Sequence, residues 1–265
     1  MCQMMFSVIF FSLILLQVDG TQLSTKIING INVKSGIYSF MVSIQDDKEH
    51  ICGGAILNKY YILTAAHCFE SYKINEIQIK AGSTNLNGLK SHKVDKIIVH
   101  KKYSSTTGEY DIALVRLKKP FSSNDNLIQF VKLPKFDNDP KVNQTVFVAG
   151  WGRTIDKEIS NELMKINLIV ADQKNCMEIF EDEFLYFKIT NRNFCIRSPS
   201  GIHGPCIRDS GGPVVSFKKE KGKKIPIILG IISWSDTNYC GYPEYPDVVT
   251  KVSKYLNWIK VKSNV

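Results

Sequence analysis

Short apolar runs rich in β-branched residues recur along most of the chain, at 39–44, 60–64, 76–80, 94–100, 111–117, 145–149, 165–170, 213–217, 225–232 and 247–252. Gly, Asn, Ser and Pro clusters separate them, and the spacing of an amphipathic helix is scarce, so the pattern predicts an all-β chain. Two helices are expected. Asp172 can cap a short one through Cys176 to Phe180, and Ser253 can cap a final one in which Tyr255, Leu256, Trp258 and Ile259 form an apolar face. The irregular stretch 121–134 near mid-chain predicts a linker between two β units.

The N-terminus breaks this pattern. Residues 6–16 are apolar apart from Ser7 and Ser12, and Val18-Asp19-Gly20 follows. That core is too short to span a bilayer. It predicts a secretory signal over residues 1–20, although residues 1–5 carry no Lys or Arg.

Composition adds little that is specific. The chain has 265 residues, 44% of them hydrophobic, which is ordinary globular material. The net charge of +9 comes from scattered Lys and Arg. The densest run, 218–224, lies between apolar segments and predicts a solvated hairpin tip, so no nucleic-acid role is expected. Cysteine count agrees with export. Of the seven cysteines, Cys2 would leave with the signal, and Cys52, Cys68, Cys176, Cys195, Cys206 and Cys240 remain. An even number in an oxidising compartment predicts three disulfides, but spacing alone does not choose the pairing. No Cys-x-x-Cys pair suggests zinc. Asn143-Gln144-Thr145 is a sequon, which predicts a glycan on Asn143.

Candidate chemistry gathers at Cys206-Ile207-Arg208-Asp209-Ser210-Gly211-Gly212-Pro213. The glycines let backbone approach a substrate closely, and the proline fixes the exit of the turn. A Ser210 nucleophile requires a base and oxyanion donors; without them the segment is a surface turn. Five histidines are available. His92 and His203 sit in polar, exposed surroundings, and His100 ends an apolar run as a packed strand terminus. His67, in Thr64-Ala65-Ala66-His67-Cys68, follows a strand and has small neighbours that leave room for a substrate; a structural histidine is the alternative. A histidine base needs an anion behind it. Asp111 starts the apolar strand of Asp111-Ile112-Ala113-Leu114, where an acid calls for a partner or serves as a turn cap.

Taken together, these motifs resemble the chymotrypsin-like serine endopeptidases. The resemblance covers residues 27–265 and rests on Ile27-Ile28-Asn29-Gly30, Cys52-Gly53-Gly54, the His67 and Asp111 motifs, Gly150-Trp151-Gly152, Asp209-Ser210-Gly211-Gly212-Pro213 and Ser233-Trp234, all in the family's order. It implies two six-stranded antiparallel β-barrels packed together, over residues 27–132 and 133–265, with a C-terminal helix. It makes Ser210 the nucleophile, His67 the base and Asp111 the orienting acid, with the N–H groups of Arg208 and Ser210 as the oxyanion hole. It implies disulfides Cys52–Cys68, Cys176–Cys195 and Cys206–Cys240. A propeptide, residues 21–26, would end at Lys26; cleavage there frees the Ile27 ammonium to pair with Asp209. Before cleavage, His50 resembles the histidine that holds this aspartate in some zymogens of the family.

Three departures bear on specificity. The trypsin branch has an aspartate at the position of Gly204, whereas Asp247 here stands where a pocket-wall glycine is usual. This exchange resembles the pockets of crustacean and insect collagenolytic members and implies cleavage after basic and large apolar residues. Ser233, Trp234 and Ser235 complete the expected pocket, Ser235 replacing a glycine at its entrance. Arg208 also replaces a glycine, which implies impaired binding of tight protein inhibitors on the leaving-group side. A secreted homologue that binds proteins without turnover is the alternative to an enzyme. No metal or cofactor is expected, since 82–90 lacks the carboxylates of a calcium loop. The expected partners of this secreted, monomeric protein are peptide or protein substrates, an activating protease and protein inhibitors, with no membrane association once the signal is removed.

Overall fold

Hydrogen bonding carries the strands into two closed rings. The computed structural model describes residues 30–34, 36–122, 125–136, 139–154, 159–181 and 186–264. The signal, Lys26 and Ile27 therefore lie outside the described residues. A short strand β1 (Ile31–Asn32) precedes the first ring. That ring comprises β2 (Met41–Asp46), β3 (Glu49–Ile56), β4 (Tyr61–Thr64), β5 (Ile77–Ala81), β6 (Lys90–Val99) and β7 (Ala113–Leu117), paired in the order β2-β3-β4-β7-β6-β5. The second comprises β8 (Thr145–Gly150), β9 (Met164–Val170), β10 (Asn193–Arg197), β11 (Pro213–Glu220), β12 (Lys223–Trp234) and β13 (Asp247–Lys251). Its order is β9-β10-β13-β12-β11-β8, closed by pairing of β8 with β9. Closure removes the free edges that so many short strands would otherwise expose. β1 pairs with β9 through Ile31 opposite Lys165, so the N-terminal segment lies against the second ring.

Alternating side chains fill both interiors. In β5 the pattern Ile-Gln-Ile-Lys-Ala buries every second residue, as does Met164–Val170 in β9. Phe40, Ile44, Ile62, Leu63 and Leu114 are fully buried in one barrel, and Val148, Leu168, Ile196, Val214 and Val249 in the other. Each such side chain contributes about 1.5–3 kcal/mol. The seam is apolar as well: Trp151, Val215, Ile228 and Ile231 join the first barrel's cluster, and Ile259 of the C-terminal helix closes it.

Predicted strands and helices match in place, with instructive exceptions. β3 and β10 escape the apolar-run criterion because Cys52-Gly53-Gly54 interrupts the first and Asn193 and Arg197 leave only three apolar residues between them in the second. Asp172 caps α1 (Gln173–Glu181), its Oδ1 accepting the N–H groups of Lys174 and Asn175 at 3.0 and 3.0 Å. Ser253 does not cap the last helix. A 3-10 turn, Val252–Tyr255, comes first, Ser253 Oγ donates instead to Asp139 Oδ1 at 2.6 Å, and α2 (Leu256–Ser263) starts later. The basic run turns at Lys221-Gly222, both with positive φ, as an exposed hairpin tip. No helix among the described residues is long and apolar enough to cross a membrane.

Candidate active site

Two loops from the first barrel and one from the second meet at the seam. β4 delivers His67, which opens the 3-10 turn His67–Phe69. Asp111 precedes β7, after a turn in which Tyr110 has φ 56° and the Ile112 N–H donates to the Tyr110 carbonyl at 2.8 Å. The 206–213 segment brings Ser210. Its glycines allow close approach: Gly53 N–H donates to the Ser210 carbonyl at 2.8 Å, and a Cβ on Gly53 would stand 2.9 Å from Gly212 Cα. Gly211 has φ 75° and lies against Thr64 and the Cys52–Cys68 disulfide.

Asp111 is fully enclosed and holds four donors. Oδ1 accepts the N–H groups of Ala66 and His67 at 2.7 and 2.9 Å; Oδ2 accepts the Ser233 hydroxyl at 2.5 Å and faces His67 Nδ1 at 2.8 Å. Burial alone would raise the Asp111 pKa, but His67 and these hydrogen bonds hold it below the ordinary carboxylate value. For His67, burial pushes the pKa down and the Asp111 charge pulls it up, with a net rise. The carboxylate can accept only from an Nδ1–H, which leaves Nε2 as the free base of the neutral ring. His67 and Ser210 line one cavity of about 500 Å³. Among the described residues no hydrogen bond joins them, nor does any acceptor take the N–H of Arg208 or Ser210.

Ser233, expected in the pocket, turns its hydroxyl to Asp111, a contact the sequence did not suggest. The register of β12 on β13 shifts between Ile232 and Trp234, so Ser233 is a bulge residue whose side chain turns to the acid. Trp234 packs on Phe180 and Phe187 with ring centroids 5.0 and 5.1 Å apart.

Asp247, at the start of β13, is buried beside Gly204: its Oδ2 lies 3.6 Å from where a Gly204 Cβ would be. Its side chain bonds Ser235. Burial, reinforced by the Asp209 charge, raises its pKa well above the carboxylate norm. Gly204 itself is pressed on Gly241, whose Cα would lie 2.4 Å from an added Cβ.

Asp209 is buried with two backbone donors, Gly152 at 2.9 Å and Cys206 at 3.0 Å. Burial raises its pKa to about 7. The expected His50–Asp209 contact does not form, because the carboxylate oxygens are turned to those N–H groups. His50 Nε2 instead meets the Arg208 carbonyl at 3.0 Å, Nδ1 meets Ser43 Oγ at 2.9 Å, and burial lowers its pKa to about 4. The Gln45–Ser43–His50 chain was not legible in the sequence, since strand alternation gives no sign of a polar interior row.

Cysteines pair as Cys52–Cys68, Cys176–Cys195 and Cys206–Cys240. His67 lies close to Cys52 and Cys68, but their disulfide leaves no thiolate for a metal. His100 stacks on Tyr110, and His92 is partly covered by Phe121 rather than exposed. His203 is also partly buried. Asn143 is exposed in a turn, with φ 63°.

Comparison with known proteins agrees with this geometry. The family model described as Trypsin matches residues 27–259. Trypsin Blo t 3 of Blomia tropicalis is 33% identical over 250 residues, covering 93% of this chain and 89% of the relative. Among solved structures, neuropsin, a serine protease expressed in the limbic system of mouse brain, superposes with a TM-score of 0.75 at 27% identity, covering 88% of this chain and 98% of the other.

Proposed function

The chain belongs to the trypsin family of serine endopeptidases, and from that premise we propose a secreted zymogen that cleavage after Lys26 converts into a protease acting through Ser210, His67 and Asp111. The observation that carries the catalytic reading is the Asp111–His67 contact, 2.8 Å at Nδ1, with Ser210 on the same cavity.

The chemistry follows the serine-protease template. Ser210 Oγ attacks the scissile carbonyl as His67 Nε2 takes its proton. Asp111 stabilises the imidazolium and keeps the ring oriented. The N–H groups of Arg208 and Ser210, without acceptors among the described residues, suit the oxyanion. His67 then gives its proton to the leaving amine, and water repeats the sequence on the acyl-enzyme.

Activation has an electrostatic rationale. Asp209, buried with two N–H donors, lacks a cation among the described residues and has its pKa raised to about 7. A new Ile27 ammonium would complete it, and a buried carboxylate so paired is far cheaper than one left alone. Asp247 beside Gly204 supports a pocket that takes basic residues off-axis and bulky apolar ones on the glycine floor. Arg208 at the cavity wall supports weakened binding of protein inhibitors on the leaving-group side. A glycan at exposed Asn143 is compatible with export.

The test is labelling with a fluorophosphonate before and after cleavage at Lys26–Ile27. Stoichiometric labelling of Ser210 in the cleaved protein, much slower labelling of the precursor and none in Ser210→Ala are expected. A cleaved protein with neither label nor peptide hydrolysis would instead be a binding homologue.

A further inference from the structure

Arg208 occupies the left-handed region, with φ 74°, where a side chain is disfavoured and glycine is not. Two crossed hydrogen bonds hold it there. Its Nη1 donates to the His50 carbonyl at 2.8 Å, while His50 Nε2 meets the Arg208 carbonyl at 3.0 Å. The second bond fixes the imidazole tautomer: a carbonyl only accepts, so Nε2 carries the proton and Nδ1 accepts from the Ser43 hydroxyl. Gln45 Nε2 donates in turn to Ser43 Oγ at 3.1 Å. His50 is 2% exposed, and a guanidinium–Glu49 contact of 3.6 Å adds a solvent-facing arm. The side chain is therefore folded onto β3, at the wall of the cavity that His67 and Ser210 share.

We propose that the Arg208 side chain is a positioning residue, which by anchoring to β3 holds its own backbone N–H in register with that of Ser210 and so does for this chain what glycine's freedom would otherwise do. The inference rests on the reading of Ser210 as nucleophile. It separates two properties that a glycine combines. A Cβ without an anchor carries the conformational penalty alone, whereas glycine carries neither penalty nor anchor. Alanine and methionine, each with a Cβ and no anchor, are thus both worse than glycine at 208, although alanine is close to glycine in bulk.

The experiment compares parent, Arg208→Ala, Arg208→Gly and Arg208→Met after cleavage at Lys26, on a short chromogenic substrate whose small leaving group does not reach β3. Methionine keeps the apolar stem but has no donor, so it serves even where alanine fails to fold. Active sites are counted by fluorophosphonate titration, and kcat is expressed per active site. Alanine and methionine should lower kcat about tenfold with KM within about twofold, a partial loss of one oxyanion donor. Glycine should regain most of that kcat. Methionine with the parent's kcat, or glycine as slow as methionine, would overturn the proposal. A parent that neither labels nor turns over would overturn the catalytic reading and the inference with it, whereas an active parent with undiminished methionine variant removes the inference alone.

Discussion

A Cβ on Gly152 would stand 2.5 Å from the Asp209 carboxyl carbon, while the Gly152 N–H donates to Oδ1 of the same residue at 2.9 Å. The glycine is thus a steric and a hydrogen-bonding requirement at once. Gly152→Ala must either move the carboxylate or part Trp151 from the seam. Overpacking of this kind costs about 1–3 kcal/mol, and in the activation proposed above the displaced acid could no longer receive the Ile27 ammonium. Urea unfolding should show that destabilisation, and cleaved Gly152→Ala should lose kcat/KM by about a hundredfold or more. An alanine variant with the parent's activity would mean that Asp209 has another way to sit.

Asp209 also makes the stability of the uncleaved chain, the precursor in the proposed activation, sensitive to pH. Its folded pKa is about 7, against an ordinary 3.8, so between these values the native state holds a proton that the unfolded chain has released. Stability therefore declines as pH rises through that window, by on the order of 4 kcal/mol for a shift of this size. His50 works the other way. With its pKa lowered to about 4, it is neutral in the native state where the unfolded chain is charged, so its contribution rises with pH up to about 6.5. Asp247, also raised, shares the sign of Asp209. The informative quantity is thus the difference between precursor and Asp209→Asn. Urea denaturation at about pH 4.5 and pH 7.5 should show a smaller stability loss in the asparagine variant, and equal losses would sink the assignment.

The strands were legible because each barrel wall demands alternation, and β5 or β9 cannot satisfy it with any other pattern. β3 was not, since its Gly53 answers to a neighbour in the other barrel, Gly212, rather than to its own sheet. His67, Asp111 and Ser210 stood out by their local settings, but each setting also fitted a structural residue, and the resemblance alone gave them roles; the structure brings His67 to Asp111 and puts His67 and Ser210 on one cavity. The second tier did not stand out. Ser233 reaches Asp111 through a bulge, and a bulge is a mismatch between two strands that neither strand records by itself. His50 was drawn toward Asp209 by family resemblance, but its partner depends on which way the 208–209 peptide turns, and that is set by three-dimensional closure of the loop on β3.

His67 and Asp111 predict a specific pH profile for the cleaved enzyme. Burial pushes the imidazole pKa down, but the Asp111 charge, the Asp111 hydrogen bond and the Glu70 charge together outweigh it, so the His67 pKa lies above its ordinary value of 6.5. Activity falls as the base is protonated. The acid limb of kcat/KM should therefore have its midpoint above 6.5. Asp111→Asn removes the charge and offers an amide that can hold the wrong tautomer, for which a loss of about ten-thousandfold in kcat is expected. Its residual acid limb should move down. A variant whose limb stayed in place would show that something other than Asp111 sets the histidine.

In the pocket proposed above, Asp247 would make the balance of substrates, and not merely the rate, depend on pH. Buried beside Gly204 and raised in pKa by desolvation and by Asp209, it is protonated more readily than a solvated acid. A Lys or Arg side chain entering the pocket favours its ionised form; a Leu or Tyr side chain does not. Cleavage after basic residues, relative to apolar ones, should rise with pH beyond what His67 imposes on both. In Asp247→Gly the basic substrates should lose about ten- to a hundredfold in kcat/KM, the worth of one charge-assisted hydrogen bond, with apolar substrates little changed and the pH dependence of the ratio gone. Moving the acid to the other side of the pocket should fail: a Cβ at residue 204 would lie 2.4 Å from Gly241 Cα, so Gly204→Asp must push the 241 backbone out of place. The combined Gly204→Asp, Asp247→Gly protein is expected to be poorly active on every substrate. Peptide-library profiling at two pH values decides the matter, and undiminished Lys and Arg cleavage in Asp247→Gly would remove Asp247 from the pocket's chemistry.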